Sequence, residues 1–113
     1  MSKYIYIVSM IRKTATKFEC NISGFDTDLE LLKEKILCNS GDIFEYYYHY
    51  AIIEKIPCSN VACDLLAETI QWFIGEHNPD SDIYPDIIRF CDCPEWAKNQ
   101  SNFWLINGTI NVD

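Results

Sequence analysis

One uninterrupted run of strand-forming residues constrains the fold of this chain more than any other feature. The run reads Tyr-Tyr-Tyr-His-Tyr-Ala-Ile-Ile-Glu-Lys-Ile from Tyr46 to Ile56, and Pro57 follows it. Successive side chains of a strand point to opposite faces of a sheet, and here both faces carry tyrosine or isoleucine. A strand that is apolar on both faces belongs in the interior of a sheet, where neighbours pair its backbone on both sides. The run therefore predicts a central strand that ends at the proline.

A predicted hairpin precedes this strand. Residues 4–11 are rich in β-branched and aromatic side chains, which is typical of a strand buried on both faces. After a five-residue polar loop, Phe18, Cys20 and Ile22 alternate with polar residues, and Gly24 ends the pattern. The period of two predicts a half-buried second strand, and the short loop makes it antiparallel to the first. Cys20 is expected in the core.

One amphipathic helix is predicted between the hairpin and the central strand, over residues 28–38. Thr27 and Glu30 have the spacing of a capping box at the start of a helix. Asn39, followed by serine and glycine, is typical of a helix end. Cys38 closes the apolar stripe and is expected in the core. The other apolar residues at helical spacing are Leu29, Leu32, Ile36 and Leu37.

The second half of the chain predicts further short strands at 69–74 and 87–91, a helical turn within 94–98 and a final apolar segment at 103–106. Together these elements predict a single α+β domain over residues 1–113. Its sheet has about five mostly antiparallel strands, and the main helix packs on one face. If the helix makes a right-handed crossover, the third strand lies parallel to one neighbour.

Acidic residues dominate the charge, with 17 acids, 9 bases and a net charge of -8. The residues after Ile56 hold nine acids against Arg89 and Lys98 alone. Because binding phosphate requires lysine or arginine to displace counterions, this field predicts no direct contact with nucleic acid or with anionic membranes. It favours a protein partner with a basic surface. The alternative is a solvated acidic face that aids only solubility.

The cysteines and the N-terminal residues predict a reducing compartment. The first residues lack the apolar helical core of a signal peptide, and no apolar run approaches the roughly 20 residues of a membrane helix. A cytoplasmic protein with reduced thiols is therefore expected. Four of the six cysteines form a weak candidate for a zinc site. These four are Cys58, Cys63, Cys91 and Cys93. The weakness lies in Cys91 and Cys93, because residues two apart on a strand spread their side chains about 7 Å, too far for easy chelation of one ion.

Motifs for catalysis are missing from the sequence. The four glycines form no phosphate-binding cluster, and there is no Gly-x-Ser-x-Gly nucleophile motif. His49 would need a nearby cysteine to form a catalytic pair, and a strand histidine among tyrosines is expected to be packed instead. Residues 78–86 resemble a calcium loop in spacing, but Ile83 and Arg89 stand at its glycine and glutamate positions. We expect no enzymatic activity and no cofactor.

The first functional hypothesis is a small acidic protein that acts by protein–protein interaction. Small acidic phage-encoded inhibitors offer an analogy, so the target could be a basic nucleic-acid-handling or host-defence protein. Acidic side chains would supply the charge, and aromatic side chains would supply the interface anchors. The partner-binding residues predicted on this basis are Asp80, Asp82, Asp86, Tyr47, His49, Trp72 and Trp96.

The alternative hypothesis is a protein that sequesters a small ligand such as a nucleotide in an aromatic pocket. Tyr48 would stack on the base, since every base offers an aromatic face. Arg12, Lys13 and Lys17 form the one basic cluster of the sequence, and they would bind the phosphate.

Overall fold

The residues that the structure describes form one α-helix and six strands, and all six strands belong to one sheet. The computed structural model describes residues 3–39, 48–58, 67–76, 87–100, 102–106 and 108–111. The elements in chain order are β1 (Lys3–Lys13), β2 (Lys17–Asp26), α1 (Leu29–Leu37), β3 (Tyr50–Cys58), β4 (Glu68–Glu76), β5 (Ile87–Cys91) and β6 (Gly108–Asn111). Two short 3-10 helices, Glu95–Ala97 and Phe103–Leu105, separate β5 from β6.

The strand order across the sheet is β5-β4-β3-β1-β2-β6, and every neighbouring pair is antiparallel. The mostly antiparallel α+β fold is thus confirmed, and β3 lies in the interior between β1 and β4. The predicted number of strands was one too few, because β6 has only four residues and carries no clear strand pattern. The predicted parallel neighbour of the third strand was wrong. β1 lies between β2 and β3 in the sheet, so β3 pairs antiparallel with β1 instead of lying beside β2.

The limits of β3 differ from the predicted strand. It begins at Tyr50, and it continues through Pro57, which pairs with Tyr4 of β1. The pairing of β3 with β4 ends at Lys55, so the proline lies where β1 is the one described neighbour. A proline is tolerated there because its missing N–H interrupts no hydrogen bond to a second strand.

Helix α1 starts one residue later than the capping box predicts. The N-cap is Asp28 rather than Thr27, and its carboxylate accepts the backbone N–H of Leu31 over 3.1 Å. At the other end, Cys38 is exposed, so its predicted core position was wrong. The buried residues of the helix are Leu32 and Ile36, which lie one turn apart.

Each face of the sheet carries its own buried cluster. Strand alternation separates neighbours, so Ile53 of β3 belongs to the first cluster and Ile52 to the second. The first cluster contains Leu32 and Ile36 of α1 together with Val8, Met10, Ala51, Ile53 and Phe73. The second contains Ile11, Phe18, Cys20, Ile52, Trp72, Ala97 and Phe103. Among the described residues, no helix has the length and apolar character needed to cross a membrane.

Candidate functional site

Strand β5 is a terminal strand of the sheet, in the acidic half of the chain. Within the described residues it pairs with β4 on one side and with no strand on the other. A terminal strand presents backbone N–H and C=O groups that can pair with another chain. Phe90, near the middle of β5, is 48% exposed, and its ring centroid lies 5.3 Å from that of Phe73. The strand therefore combines an apolar anchor with backbone hydrogen-bonding groups.

The charges around β5 are mostly acidic. Arg89 is its one cation, and its Nε donates to the Glu76 carboxylate over 2.8 Å. Asp92 follows the strand and is exposed. The predicted partner-binding residues Tyr47, Asp80, Asp82 and Asp86 lie outside the described residues, so their roles stay predictions.

The predicted role of Trp72 in partner binding does not fit its position. Trp72 is 3% exposed, because its place on β4 points the indole into the second buried cluster. Its ring centroid lies 5.2 Å from that of Phe103 and 6.1 Å from that of Trp96. The side chain is therefore core and leaves no surface for a partner. Trp96 is half-buried at the margin of the same cluster.

The residues of the predicted ligand pocket are divided between the two faces of the sheet. Lys13 Nζ donates to the Thr14 carbonyl and lies 5.9 Å from the centroid of the Trp96 ring, beside the second cluster. Tyr48 packs against the first cluster, and its hydroxyl accepts a hydrogen bond from Asn21 over 3.1 Å. The tyrosine and the lysine therefore do not line one pocket.

Arg12 and Lys17 are the other two cations predicted to bind phosphate, and both lie near strand ends. The predicted partner-binding residue His49 also lies near a strand end. Arg12 is 4.0 Å from the Glu19 carboxylate, and Lys17 is exposed at the start of β2. His49 is half-buried just before β3. Its backbone N–H donates to Ile11 over 3.1 Å and its carbonyl accepts from Gly75 over 2.9 Å, so it extends the sheet hydrogen bonding.

Two of the four candidate zinc ligands can be placed in detail. Cys91 and Cys93 are half-buried against the second cluster, and burial raises the pKa of both thiols. The Cys58 side chain and Cys63 lie outside the described residues. No group of three or more potential metal ligands occurs in the part of the chain that the structure describes.

A buried carboxylate is the feature that the sequence analysis missed. Glu54 of β3 is fully buried, and its two oxygens accept the backbone N–H groups of Phe103 over 2.9 Å and of Trp104 over 2.8 Å. Burial raises the pKa of this carboxyl above its ordinary value, and the two N–H groups act in the opposite direction. A single acid inside an apolar run was the available signal. It indicates a buried charge but does not identify the partners.

The thiol beside this carboxylate is held in the same way. Cys20 is fully buried, and its Sγ donates to the Phe103 carbonyl over 3.4 Å. Burial raises the pKa of Cys20 to about 12, and the charge of Glu54 adds to the increase. Because the thiolate is the nucleophile, a thiol with this pKa is inert near neutral pH. Glu54 and Cys20 thus hold the segment around Phe103 on the sheet.

No protein-family model matches this chain, and no curated protein matches its sequence. No solved structure matches its fold.

Proposed function

We propose that this protein is a non-enzymatic binding protein that pairs β5 with an extended segment of a basic protein partner. The observation that carries the proposal is the exposed Phe90 on a terminal strand of the acidic half. A segment added beside β5 would form backbone hydrogen bonds with the strand and would cover part of the phenylalanine ring. Backbone pairing would provide affinity, and the contact with Phe90 would provide selectivity.

The charge of this half of the chain supports a partner rich in lysine or arginine. Of the two bases after Ile56, Arg89 pairs with Glu76 and Lys98 pairs with Glu95. Neither cation therefore opposes the approach of a basic segment. Complementary charge accelerates association and suppresses wrong partners, and these effects weaken as salt screens the charges.

The inhibitor form of this proposal concerns a partner that normally binds nucleic acid. Such a partner has a basic groove, and an acidic protein seated on it would exclude the phosphates by like-charge repulsion. A non-enzymatic role also agrees with the environments of Cys20 and Glu54, because both side chains are fully buried and their polar atoms are hydrogen-bonded to backbone groups.

The decisive experiment compares partner binding by matched charge variants. The immobilised protein is exposed to native lysate at about 0.1 M and about 1 M salt, where the Debye length falls from about 10 Å to about 3 Å. A captured protein is then purified, and its dissociation constant is measured for wild type and for each variant. One variant combines Asp80→Asn, Asp82→Asn and Asp86→Asn, and a second carries Phe90→Ser. The control removes three charges from the first half through Glu30→Gln, Glu34→Gln and Asp42→Asn.

We expect the triple aspartate variant and Phe90→Ser each to weaken binding about tenfold or more, while the control stays within about twofold of wild type. High salt should release the partner. Binding that is insensitive to salt, to the three aspartate changes and to Phe90→Ser would refute the proposal.

The nucleotide-binding alternative retains one supporting contact, the position of Lys13 beside the Trp96 ring. A bound nucleotide would raise the melting temperature by mass action. A thermal-shift screen against nucleoside mono-, di- and triphosphates tests it, with Lys13→Met as the variant that should lose the shift. A flat response across the panel would eliminate this alternative.

A further inference from the structure

An open cleft of about 190 Å³ lies between α1 and the end of the first hairpin. Its lining is mainly apolar and includes one cationic residue, Lys35 of the helix. Strand β2 contributes Ser23 and Gly24 to the lining. The apolar side chains of the lining are Val8, Phe25, Leu32 and Ile36.

The cleft arises from a β-bulge. Val8 of β1 pairs with Gly24 and Ser9 pairs with Ile22, so Ser23 is an extra residue with no partner on β1. A bulge bends its strand and increases the local twist. Gly24 then leaves the space open, because a Cβ atom built at this position would meet no atom within 4 Å. The bulge and the missing side chain together explain the cleft.

The lysine at the cleft differs from its neighbour on the same helix. Lys33 Nζ lies 3.6 Å from the Glu30 carboxylate. Lys35, in contrast, forms no ion pair with any residue in the described ranges. In a protein with a net charge of -8, an uncompensated cation beside an apolar cavity favours a ligand that brings its own negative charge.

We propose that this cleft binds a small aromatic monocarboxylate, with the ring in the apolar part and the carboxylate on the Lys35 ammonium. An apolar cavity of about 150 Å³ is large enough to hold benzene, so the volume of this cleft suits one ring with a short acidic arm. A single ammonium matches one negative charge and would leave a phosphate dianion incompletely neutralised. This binding activity is separate from partner binding at β5, which lies at the other end of the sheet.

The test uses phenylacetate and its neutral counterpart phenylacetamide as probes, with titrations followed by amide chemical shifts. Phenylacetate should produce saturable shifts at Gly24 and neighbouring residues, with a dissociation constant on the order of 1 mM. Phenylacetamide should bind about tenfold more weakly, a difference of about 1.4 kcal/mol.

Two variants separate the contributions of the cavity and the charge. Gly24→Leu adds an apolar side chain to the lining at a position where a Cβ atom would meet no other atom within 4 Å, and it should abolish binding of both probes while the protein still melts cooperatively. Lys35→Met should weaken phenylacetate about tenfold and leave phenylacetamide unchanged. Lys33→Met removes the same charge from the same helix and is the matched control.

If Gly24→Leu fails to fold, the comparison of Lys35→Met with Lys33→Met still tests the proposal. Saturable binding that responds to Lys35→Met and not to Lys33→Met supports it. The absence of saturable shifts at Gly24 in wild type would overturn it. Equal affinity for the two probes would also overturn it, since the carboxylate would then make no specific contact.

Discussion

The backbone N–H of Phe103 donates to the Glu54 carboxylate over 2.9 Å, across a separation of 49 residues in the chain. The second carboxylate oxygen accepts the N–H of Trp104. Hydrogen bonds to an ionised group are shorter and stronger than those between neutral groups. The central strand thereby holds the second 3-10 helix, and with it the segment that leads to β6, against one face of the sheet.

Replacing Glu54 should weaken the protein strongly. Glu54→Gln keeps one side-chain oxygen as an acceptor but places an amide NH2 group against the other backbone N–H, which then lacks an acceptor. We expect a loss of about 2–4 kcal/mol in the free energy of unfolding, measured by urea denaturation. Amide hydrogen exchange at Phe103 and Trp104 should accelerate. Glu68→Gln, at an exposed position on β4, is the control and should stay within about 0.5 kcal/mol of wild type.

The raised pKa of Glu54 also predicts a pH dependence of stability. Between the ordinary pKa of 4.5 and the higher pKa of the folded state, the folded protein keeps a proton that the unfolded chain has lost. Stability from this group is therefore fully present below the ordinary value, decreases as pH rises through this interval, and is constant above the folded pKa. The measurement is the difference in unfolding free energy between wild type and Glu54→Gln at each pH. The other acids are present in both proteins, so their contributions to the pH dependence cancel in this difference. A difference that grows in favour of wild type with rising pH would contradict this assignment.

The interior position of β3 predicts opposite results for two matched substitutions. Ile52 is fully buried, so Ile52→Asp places an unpaired charge in the core at a cost of several kcal/mol. That cost is comparable with the whole stability of a domain, about 5–15 kcal/mol, and cooperative melting should disappear. Ile22 on β2 is 49% exposed, and Ile22→Asp should melt cooperatively. Calorimetry distinguishes the two, and a normal transition for Ile52→Asp would refute the position of β3.

The start of α1 can be tested by truncating each candidate cap. Asp28→Ala removes the acceptor of the Leu31 N–H and should cost about 1 kcal/mol in denaturation experiments. Thr27→Ala removes an exposed side chain outside the helix and should have a much smaller effect. The reverse order would restore the capping box predicted from the sequence.

The two cysteines on either side of the helix should differ in reactivity. Cys38 is exposed, so iodoacetamide should modify it in the native protein. Cys20 is fully buried with a pKa of about 12, and it should react only after unfolding. Peptide mapping by mass spectrometry measures both sites, and the urea-unfolded protein is the control in which both react. Rapid native labelling of Cys20 would show that the segment around Phe103 opens readily.

Local patterns in the sequence determined the elements whose burial follows a short period. The uninterrupted apolar run around Ile52 predicts the central strand, and the spacing of Leu32 and Ile36 predicts the buried side of the helix. Such local apolar patterns succeed here because they record which side chains must leave water, whatever lies opposite them. The same logic failed for Cys38, since apolar character at the end of a helix does not decide whether another element covers it.

Only the tertiary structure decided which distant segments meet. The pairing of β6 with β2, the antiparallel neighbours of β3 and the burial of Trp72 depend on contacts between residues far apart in the chain. The cleft at Gly24 depends on a one-residue shift in strand register, which no periodic pattern marks. For the candidate site, the sequence indicated the acidic second half, whereas the terminal position of β5 and the exposure of Phe90 required the sheet order. Glu54 shows the reason most directly, because its hydrogen-bond donors are backbone amides, which every residue but proline possesses and which folding alone brings to the carboxylate.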